Sequence, residues 1–438
     1  MPLALLRQMP CYQRAMLRRS AALEEPSVSA KLITIEEARA RVLAEAIPLP
    51  PETVALPDSL GSVLAEDIIA SHDVPPFDNS GMDGYAVHVV DIVEATPGAP
   101  ARLPIVDTIA AGYVARAPLA PGQAVRIMTG APVPDGADVV VQSELTSEED
   151  GYVLINEPLK RGKNIRRAGE DVARGERVLA AGSPLGPAEI GVLASLGHAF
   201  VSVHKRPRVA IISTGRELVE VDQPLGPGQI RNSNSYSLRS LCRQMGVEAV
   251  PFGIVPDDYE ATRRAIAAGL EYEVLLTSGG VSVGKFDFVK DVQAELGVER
   301  RLWGVAMKPG KPLAFGVHGR TLVFGLPGNP VSAMVSFELF VKPALLRLMG
   351  HRRTTKPLYT AIMEEDVSNP DGRVYVVRVR AWREDGAWHI SSTGAQGSGM
   401  LKSMVGANGL AFVPGGSRGL KAGEQVDFLL MREDLEEP

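Results

Sequence analysis

Residues 206–353 alternate between short apolar runs and amphipathic stretches with helical spacing, and this alternation limits the possible folds more than any other feature. Repeated strand–helix units form a parallel sheet with helices on both faces. Ligands of such doubly wound α/β domains bind at the carboxyl ends of the strands. The pattern predicts strands over 209–213, 249–255, 274–277 and 322–324, and helices over 235–245, 259–270, 288–296 and 331–348.

Three of the predicted strands run directly into polar loops that contain glycine. These loops are 213–217 (Ser-Thr-Gly-Arg-Glu), 277–280 (Thr-Ser-Gly-Gly) and 325–330 (Gly-Leu-Pro-Gly-Asn-Pro). Glycine lets the backbone approach a ligand closely, and the free N–H groups that begin a helix carry partial positive charge. The second loop continues to Asp287 and is the strongest candidate for anion binding. A tight turn that serves packing alone is the alternative.

The third loop also has the residues that begin a helix. Asn329 suits the N-cap and Pro330 suits the first helical position, which leaves the next N–H groups free to meet an anion. Simple helix initiation explains the same residues without a ligand.

Two lysines, Lys308 and Lys311, flank a Pro-Gly turn. Two fixed cations suit an oxyanion or several phosphates. The stretch is not a P-loop, because proline stands where that motif needs glycine and again where it needs serine or threonine. A solvated basic turn is the alternative.

Carboxylates follow the same predicted strand ends, at Glu217, Asp257 and Asp287. Carboxylate oxygens of this kind hold Mg²⁺ against phosphates. Asp257 and Asp258 also precede a predicted helix, and capping is the simpler role for that pair taken alone.

The remaining parts of the chain have different patterns. A helix is predicted over 33–46, with Thr34 as N-cap and Glu37 three residues later. Short Val-, Pro- and Gly-rich runs over 70–165 predict a β domain with long loops, one of which, 78–86, is polar. Asx turns explain the Asp and Asn content of that loop equally well. Alternation over 377–382 and Gly-rich turns predict a C-terminal β domain.

Charge and cysteine content exclude several classes of function. The net charge is −6 and the pI is about 5.8, which argues against binding to nucleic acid or an acidic membrane. Cys11 and Cys242 lie far apart in sequence, so we expect no disulfide framework or thiolate cluster and a reducing, cytoplasmic location. No apolar run approaches the roughly 20 residues that span a bilayer.

Eight stretches, taken together and in order, resemble the molybdopterin molybdenumtransferase (molybdenum insertase) family. They are 78–86, 128–134, 164–171, 213–218, 278–287, 308–312, 326–332 and 397–404. The resemblance runs from about residue 31 to the end. It implies a helical segment from 31–65 with 172–205, an inserted β-rich domain over 66–171, a central molybdopterin-binding α/β domain over 206–353 and a C-terminal β-barrel domain over 354–438. Residues 1–30 have no counterpart, and we expect a disordered extension there.

The resemblance also implies an activity. Adenylylated molybdopterin is hydrolysed with Mg²⁺, molybdate is inserted at the dithiolene, and AMP and molybdenum cofactor leave. Members of the family are homodimers with an active site shared between subunits, and a molybdopterin adenylyltransferase and client molybdoenzymes are further expected partners. A non-catalytic scaffold and a tungstate-specific insertase are the alternatives on the same fold.

Site residues follow by matching motif to motif. The resemblance assigns catalysis to Asp78, Thr129, Asp171, Glu217, Asp257 and Asp287, of which the last three also hold the metal. It assigns binding of the substrate's phosphate and pterin parts to Ser278, Gly279, Gly280, Ser282, Gly328 and Asn329. It assigns the contacts with molybdate to Lys308, Lys311, Ser332, Arg373 and Ser398. The sequence around Arg373 would also allow Arg378 in that role.

Overall fold

The computed structural model describes residues 32–280 and 288–432, so the predictions for residues 1–30, Ser282 and Asp287 lie outside the described residues. The chain forms two compact units. Of the described residues, the first unit comprises 32–49, 206–280, 288–349 and 353–432, and the second comprises Pro50–Lys205 with Gly350–Arg352. None of the helices in the described ranges has the length and apolar character needed to cross a membrane.

A six-stranded sheet lies at the centre of the first unit. Its order is Glu248–Val255, Arg208–Thr214, Val274–Ser278, Thr321–Leu326, Ala314–His318 and Glu299–Trp303. The first four strands pair in parallel and the last two pairings are antiparallel, because Ala314–His318 runs against its neighbours, which confirms the predicted parallel-rich sheet. The pattern missed two strands, Ala314–His318 and the edge strand Glu299–Trp303, and in the edge strand only Leu302 of five residues is buried.

Helices cover both faces of this sheet. In the strand Arg208–Thr214, Val209 and Ile211 face one core, while Ala210 and Ile212 face the other. The first core is packed by the helices Ile35–Glu45 and Ser233–Gln244 and by the helical stretch that begins at Pro330, and the second by Tyr259–Gly269 and Phe288–Glu295. The domain is therefore doubly wound, as predicted.

The helix predicted over 331–348 is divided into three segments. They are an α-helix over Pro330–Ser336, a π-helical turn over Phe337–Val341 and an α-helix over Lys342–Leu348. Pro343 has no N–H to donate to the carbonyl of residue 339, and a wider turn accommodates this missing hydrogen bond.

Five strands close the C-terminal barrel. Their order is Val374–Glu384, Ala387–Ser392, Leu358–Met363, Gln425–Leu430 and Gly409–Val413, and the last pairs back with the first. Alternate residues of the longest strand, such as Val377 and Val379, fill the barrel interior. The short strand Met307–Lys308 pairs with Val374 and Tyr375, which joins the lysine-containing turn to the barrel.

The second unit is β-rich, as predicted for the inserted region. Its largest sheet has the order Val139–Gln142, Gly84–Val87, Ala124–Ile127, Ala101–Ile109, Tyr152–Ile155 and Thr146–Glu149. Smaller pairs join Pro51–Ala55 to Phe200–His204, Ile68–Ile69 to Arg177–Leu179 and Asn79–Ser80 to Ile165–Arg166. Among the described residues of this unit, Pro187–Ser195 forms an α-helix of nine residues.

The structure differs from the predicted helical segment of 31–65 with 172–205. The helix Ile35–Glu45 forms as expected, and the Thr34 hydroxyl accepts a hydrogen bond from the Glu37 N–H at 3.1 Å. Its buried stripe, however, packs into the core of the central sheet, so this helix belongs to the first unit. Residues 50–69 and 172–204 form paired strands with one helix, because their apolar residues alternate and pack across strand pairs.

The structure also contains several short elements. They are 3₁₀ turns at Leu56–Asp58, Val89–Asp91 and Ser143–Leu145, the helix Lys402–Val405, the strand pair Leu218–Val219 with Ile230–Arg231, and the strand pair Val367–Ser368 with Gly419–Leu420.

Candidate active site

The three polar loops begin side by side at one edge of the central sheet. The strand register places Ser213 next to Ser278, and Ser278 next to Leu326. Because these strands are parallel, the loops that follow them leave the sheet at the same edge. The sequence prediction that they share one edge is therefore confirmed.

Gly279 and Gly280 need the backbone freedom of glycine. Their φ angles are +90° and +68°, in the left-handed region. A Cβ on Gly279 would lie 2.6 Å from the Thr214 carbonyl oxygen, which is too close for any other residue. The Gly279 N–H donates to the Leu326 carbonyl at 3.2 Å, so this loop is fixed against both neighbouring strand ends.

Asn234 joins two of the loops and was missed by the sequence analysis. Its side chain is 7% exposed, and its Nδ2 donates to the Ser278 hydroxyl and to the Gly328 carbonyl, both at 2.8 Å. Nearby, Asn232 caps the same helix and accepts a hydrogen bond from Ser213 Oγ at 3.1 Å. The signal for this role was the run Asn-Ser-Asn-Ser at 232–235, directly before an amphipathic helix.

The third loop begins a helix by a different route from the one predicted. Asn329 occupies the N-cap position and Pro330 the first helical position, but the Asn329 side chain makes no capping hydrogen bond. The Val331 N–H instead donates to the carbonyl of Ser398 at 3.2 Å, so this N–H is not free for an anion. This contact brings Ser398, in a barrel loop, against the loop that leads to the buried Ser332.

The carboxylates at the strand ends have separate roles. Asp258 caps the helix by accepting the Ala261 N–H at 2.8 Å, so capping does not account for Asp257. Asp257 instead pairs with Arg216 at 3.3 Å and keeps 22% of its side chain exposed. Glu217 is exposed, and its carboxylate lies so close to Gly215 that a Cβ there would be 2.6 Å from Oε1.

These carboxylates have the oxygen ligands that Mg²⁺ prefers. Glu217 and Asp257 follow adjacent parallel strands, at the same edge as the glycine loop. Across residues 32–280 and 288–432, no group of three His, Cys, Asp or Glu side chains is placed to hold a metal ion. The third predicted ligand, Asp287, lies outside those ranges, so the metal site stays a prediction.

Two of the predicted molybdate residues meet at one carboxylate. Lys308 Nζ lies 2.9 Å from Asp371 Oδ2, and Arg373 Nη2 lies 3.2 Å from the same oxygen. The hydrogen bond from Lys308, together with the positive charges of Lys308 and Arg373, holds the pKa of Asp371 below its usual value. Two cations around one anion leave a net positive charge. Lys311 is exposed on the turn that also carries Lys308.

Arg378 is not available for direct contact with a ligand in this structure. Its side chain is fully buried, whereas 29% of the Arg373 side chain is exposed. The alternative that the local sequence allowed is therefore disfavoured, and Arg373 keeps the contact role as a prediction.

The second unit contains the other predicted residues. Asp78 accepts the Ala168 N–H at 2.8 Å and pairs with Arg167, and the pKa of Asp78 is lowered mainly by that backbone hydrogen bond. Thr129 donates through its N–H and hydroxyl to Asp83, a residue the sequence analysis missed. The same two hydrogen bonds lower the pKa of Asp83. Asp171 is exposed, and its N–H donates to the carbonyl of residue 74.

Three family models match the chain in order. They are described as the MoeA N-terminal region (domain I and II) over residues 33–197, a probable molybdopterin binding domain over 210–347 and the MoeA C-terminal region (domain IV) over 360–431.

Curated relatives and solved structures agree with these matches. The chain is 36% identical over 406 residues to the molybdopterin molybdenumtransferase of Staphylococcus aureus (strain MRSA252), with 92% of this chain and 97% of the relative covered. It is 38% identical over 388 residues to that of Bacillus subtilis (strain 168), with coverage of 87% and 90%. A solved molybdopterin biosynthesis MoeA protein from Pyrococcus horikoshii superposes with a TM-score of 0.79 at 33% identity, covering 92% of this chain and all of that one. The chain therefore belongs to the molybdopterin molybdenumtransferase family.

Proposed function

We propose that this protein inserts molybdate into adenylylated molybdopterin and releases AMP and molybdenum cofactor. The observation that carries the proposal is that the loop leaving the sheet beside the glycine loop contacts the barrel loop containing Ser398, in the same unit as the Lys308–Arg373 cluster. Membership of the family and the transferase names of its relatives support the same activity.

Molybdate, a substrate here, is a small dianion whose oxygens need several strong donors. Lys308, Lys311 and Arg373 supply charge-assisted hydrogen bonds, and the hydroxyls of Ser332 and Ser398 supply neutral ones. Asp371 already accepts from two of these cations, so an oxyanion has to compete with this carboxylate. The ion pairs with Asp371 keep Lys308 and Arg373 in position until the substrate arrives.

The glycine loop binds the phosphate groups of the adenylylated substrate. Ser278 and Ser282 offer hydroxyl donors and Gly280 offers its N–H, Gly279 supplies the turn that its own N–H fixes to Leu326, and Gly328 and Asn329 belong to the neighbouring loop. Glu217, Asp257 and Asp287 would hold Mg²⁺, which neutralises charge during phosphoanhydride cleavage. Cleavage of this kind depends on positioning and charge neutralisation, so no nucleophilic serine or cysteine is needed.

A homodimer with a shared site is part of the proposal. The strand-end loops belong to the first unit, whereas Asp78, Thr129 and Asp171 belong to the second. In the shared-site arrangement, these three residues complete the active site of the partner subunit. An adenylyltransferase supplies the substrate, and molybdoenzymes receive the product.

The activity is tested by measuring AMP release and cofactor formation from adenylylated molybdopterin with Mg²⁺, with and without molybdate. Asp287→Ala should abolish release, and Asp291→Ala, an exposed aspartate four residues further on, serves as the matched control. Tungstate in place of molybdate tests oxyanion preference. Ligand binding without release, in the wild type, would contradict the proposal and favour the scaffold function.

The shared site is tested by coexpressing Asp78→Asn with Asp287→Ala. Each variant alone should be inactive. Statistical mixing gives heterodimers in half of the population, each with one intact site of two, so about a quarter of wild-type activity should return. No recovery in mixed dimers would contradict a site built from both subunits.

A further inference from the structure

Arg378 is a buried cation that none of the roles above uses. It lies on the longest barrel strand, where Val377 and Val379 point into the barrel and Arg378 points outward. An outward position would normally be exposed, yet this side chain is 0% exposed. The loop over residues 393–403 covers it.

No carboxylate pairs with Arg378 in the described parts of the chain. Its Nη2 donates to the Gly397 carbonyl at 3.2 Å, its Nε to the Ser403 hydroxyl at 3.2 Å, and its Nη1 to a carbonyl of its own strand at 3.5 Å. Burial lowers the pKa of this guanidinium, but arginine stays charged in proteins. Buried charges are usually paired with an opposite charge, because removing an ion from water is unfavourable. Within residues 32–280 and 288–432, the oxygens that accept hydrogen bonds from the Arg378 guanidinium are all neutral.

The loop that Arg378 holds is the one that reaches the candidate oxyanion site. Gln396 bonds the backbone of Arg378 on both sides, accepting its N–H at 2.8 Å and donating to its carbonyl at 3.1 Å. Ser403 Oγ also donates to the Met400 carbonyl at 2.7 Å, which closes the loop on itself. Between these tethers lies Ser398, whose carbonyl accepts the Val331 N–H. A continuous set of contacts therefore runs from Arg378 through the loop to the helix start beside Ser332.

We propose that Arg378 is a positioning residue for oxyanion binding: it fixes the loop over residues 393–403 and places an uncompensated positive charge behind that loop. The inference rests on the proposed function, because that function assigns Ser398 to molybdate. A bound dianion is the counter-ion that the buried guanidinium lacks in the protein itself. Arg378 acts through the loop and does not touch the ligand.

The test is titration of the full-length protein with molybdate by calorimetry, together with the kcat and the KM for molybdate. Arg378→Met removes the charge and the donors at similar volume, and apolar replacement of a buried ion often leaves stability intact. Arg378→Lys keeps the charge. Arg383→Gln, five residues along the same strand, removes an exposed charge that stacks on the Trp388 ring and is the matched control.

Arg378→Met should weaken molybdate binding at least about tenfold. It removes the hydrogen bonds by which a charged group fixes the loop, and each bond of this kind contributes at that level. The KM for adenylylated molybdopterin should stay within about twofold of wild type, because that substrate's phosphates bind another loop. Arg378→Lys should restore part of the lost affinity, and Arg383→Gln should bind as wild type. A purely structural role would lower the melting temperature without this selective change in the KM for molybdate.

Folded Arg378→Met with wild-type affinity for molybdate would overturn the inference, as would an equal loss in Arg383→Gln. If Arg378→Met does not fold, Ser403→Ala removes one partner of the guanidinium, and unchanged molybdate affinity in that variant overturns the inference as well. If the wild type binds molybdate but releases no AMP, the proposed function fails while the titrations still decide on Arg378. If the wild type binds no molybdate, both fail.

Discussion

Asn234→Ala offers the sharpest test of how the candidate active site is held together. The Asn234 amide spans the glycine loop and the loop before the helix at Pro330, with two hydrogen bonds of 2.8 Å to Ser278 Oγ and the Gly328 carbonyl. Ser278 is 3% exposed, so little water can replace the lost donor there. The substitution therefore leaves the Ser278 hydroxyl without this partner in a nearly dry region, whereas water can reach the carbonyl of the exposed Gly328.

The expected loss can be estimated from the buried Ser278 hydroxyl. Leaving a buried hydrogen-bonding group unsatisfied costs about 1–3 kcal/mol, and removal of the buried, unpaired Asn234 Oδ1 offsets part of that cost. We therefore expect Asn234→Ala to lower the free energy of unfolding by about 1–3 kcal/mol. Domains of this size are typically stable by about 5–15 kcal/mol, so the variant should remain folded at 25 °C. Asn234→Asp should lose more, because a carboxylate cannot donate to either oxygen.

Urea unfolding followed by circular dichroism measures this loss. The chain has two compact units, so unfolding is analysed as more than one transition, and only the transition of the first unit should shift. Ser240→Ala is the matched control, because its hydroxyl donates only to a carbonyl one turn back on the same helix. That control should change stability by less than about 0.5 kcal/mol.

Activity gives a second measurement on the same variants. AMP release by Asn234→Ala at 25 °C should fall well below that of Ser240→Ala, because the two loops are no longer tied together. If Asn234→Ala unfolds at the same urea concentration as Ser240→Ala and releases AMP at the same rate, the Asn234 amide does not organise the site.

Three further predictions concern other parts of the structure. Lys308→Ala combined with Lys311→Ala should weaken molybdate binding while light scattering still shows a dimer; loss of the dimer would mean that these lysines are structural. Gly279→Ala should abolish binding of adenylylated molybdopterin, because its Cβ would lie 2.6 Å from a backbone oxygen. Gly191→Ala is the control: its Cβ has no atom within 4 Å, and the substitution should stabilise the helix by about 0.5–1 kcal/mol in thermal unfolding. Burial raises the pKa of Cys242 to about 12, so at pH 8, with the other cysteine replaced by serine, a disulfide reagent should label the thiol only after unfolding; fast labelling of the native protein would contradict its burial.

Local patterns in the sequence predicted the architecture well. The period of two along strands and of about 3.6 along helices identified the parallel sheet, the helices on both faces and the β character of the regions before and after it. Thr34 was predicted as a cap because capping depends on a few neighbouring residues. The convergence of the three polar loops also followed from sequence, since strand ends in a parallel sheet share an edge.

Other features depend on partners that are distant in sequence. Both Asp257 and Asp258 precede a helix, and only the folded backbone assigns the cap to Asp258 and the ion pair to Asp257. The helix at Ile35–Glu45 joined the central unit because its apolar stripe packs there, a choice that its own periodicity could not specify. Barrel closure likewise depends on pairing between strands that are far apart in the chain.

The sequence by itself determined which residue types line the candidate site, because glycine loops, paired lysines and strand-end carboxylates are local motifs. The tertiary structure decided how these residues are supported. Asn234 donates to two loops that lie 44 and 94 residues away in sequence. Arg378 is buried beneath a third loop, whose hydrogen-bonding residues lie 19 and 25 residues away. Hydrogen bonds over such separations are fixed only when the chain has folded, because no short-range periodicity records them.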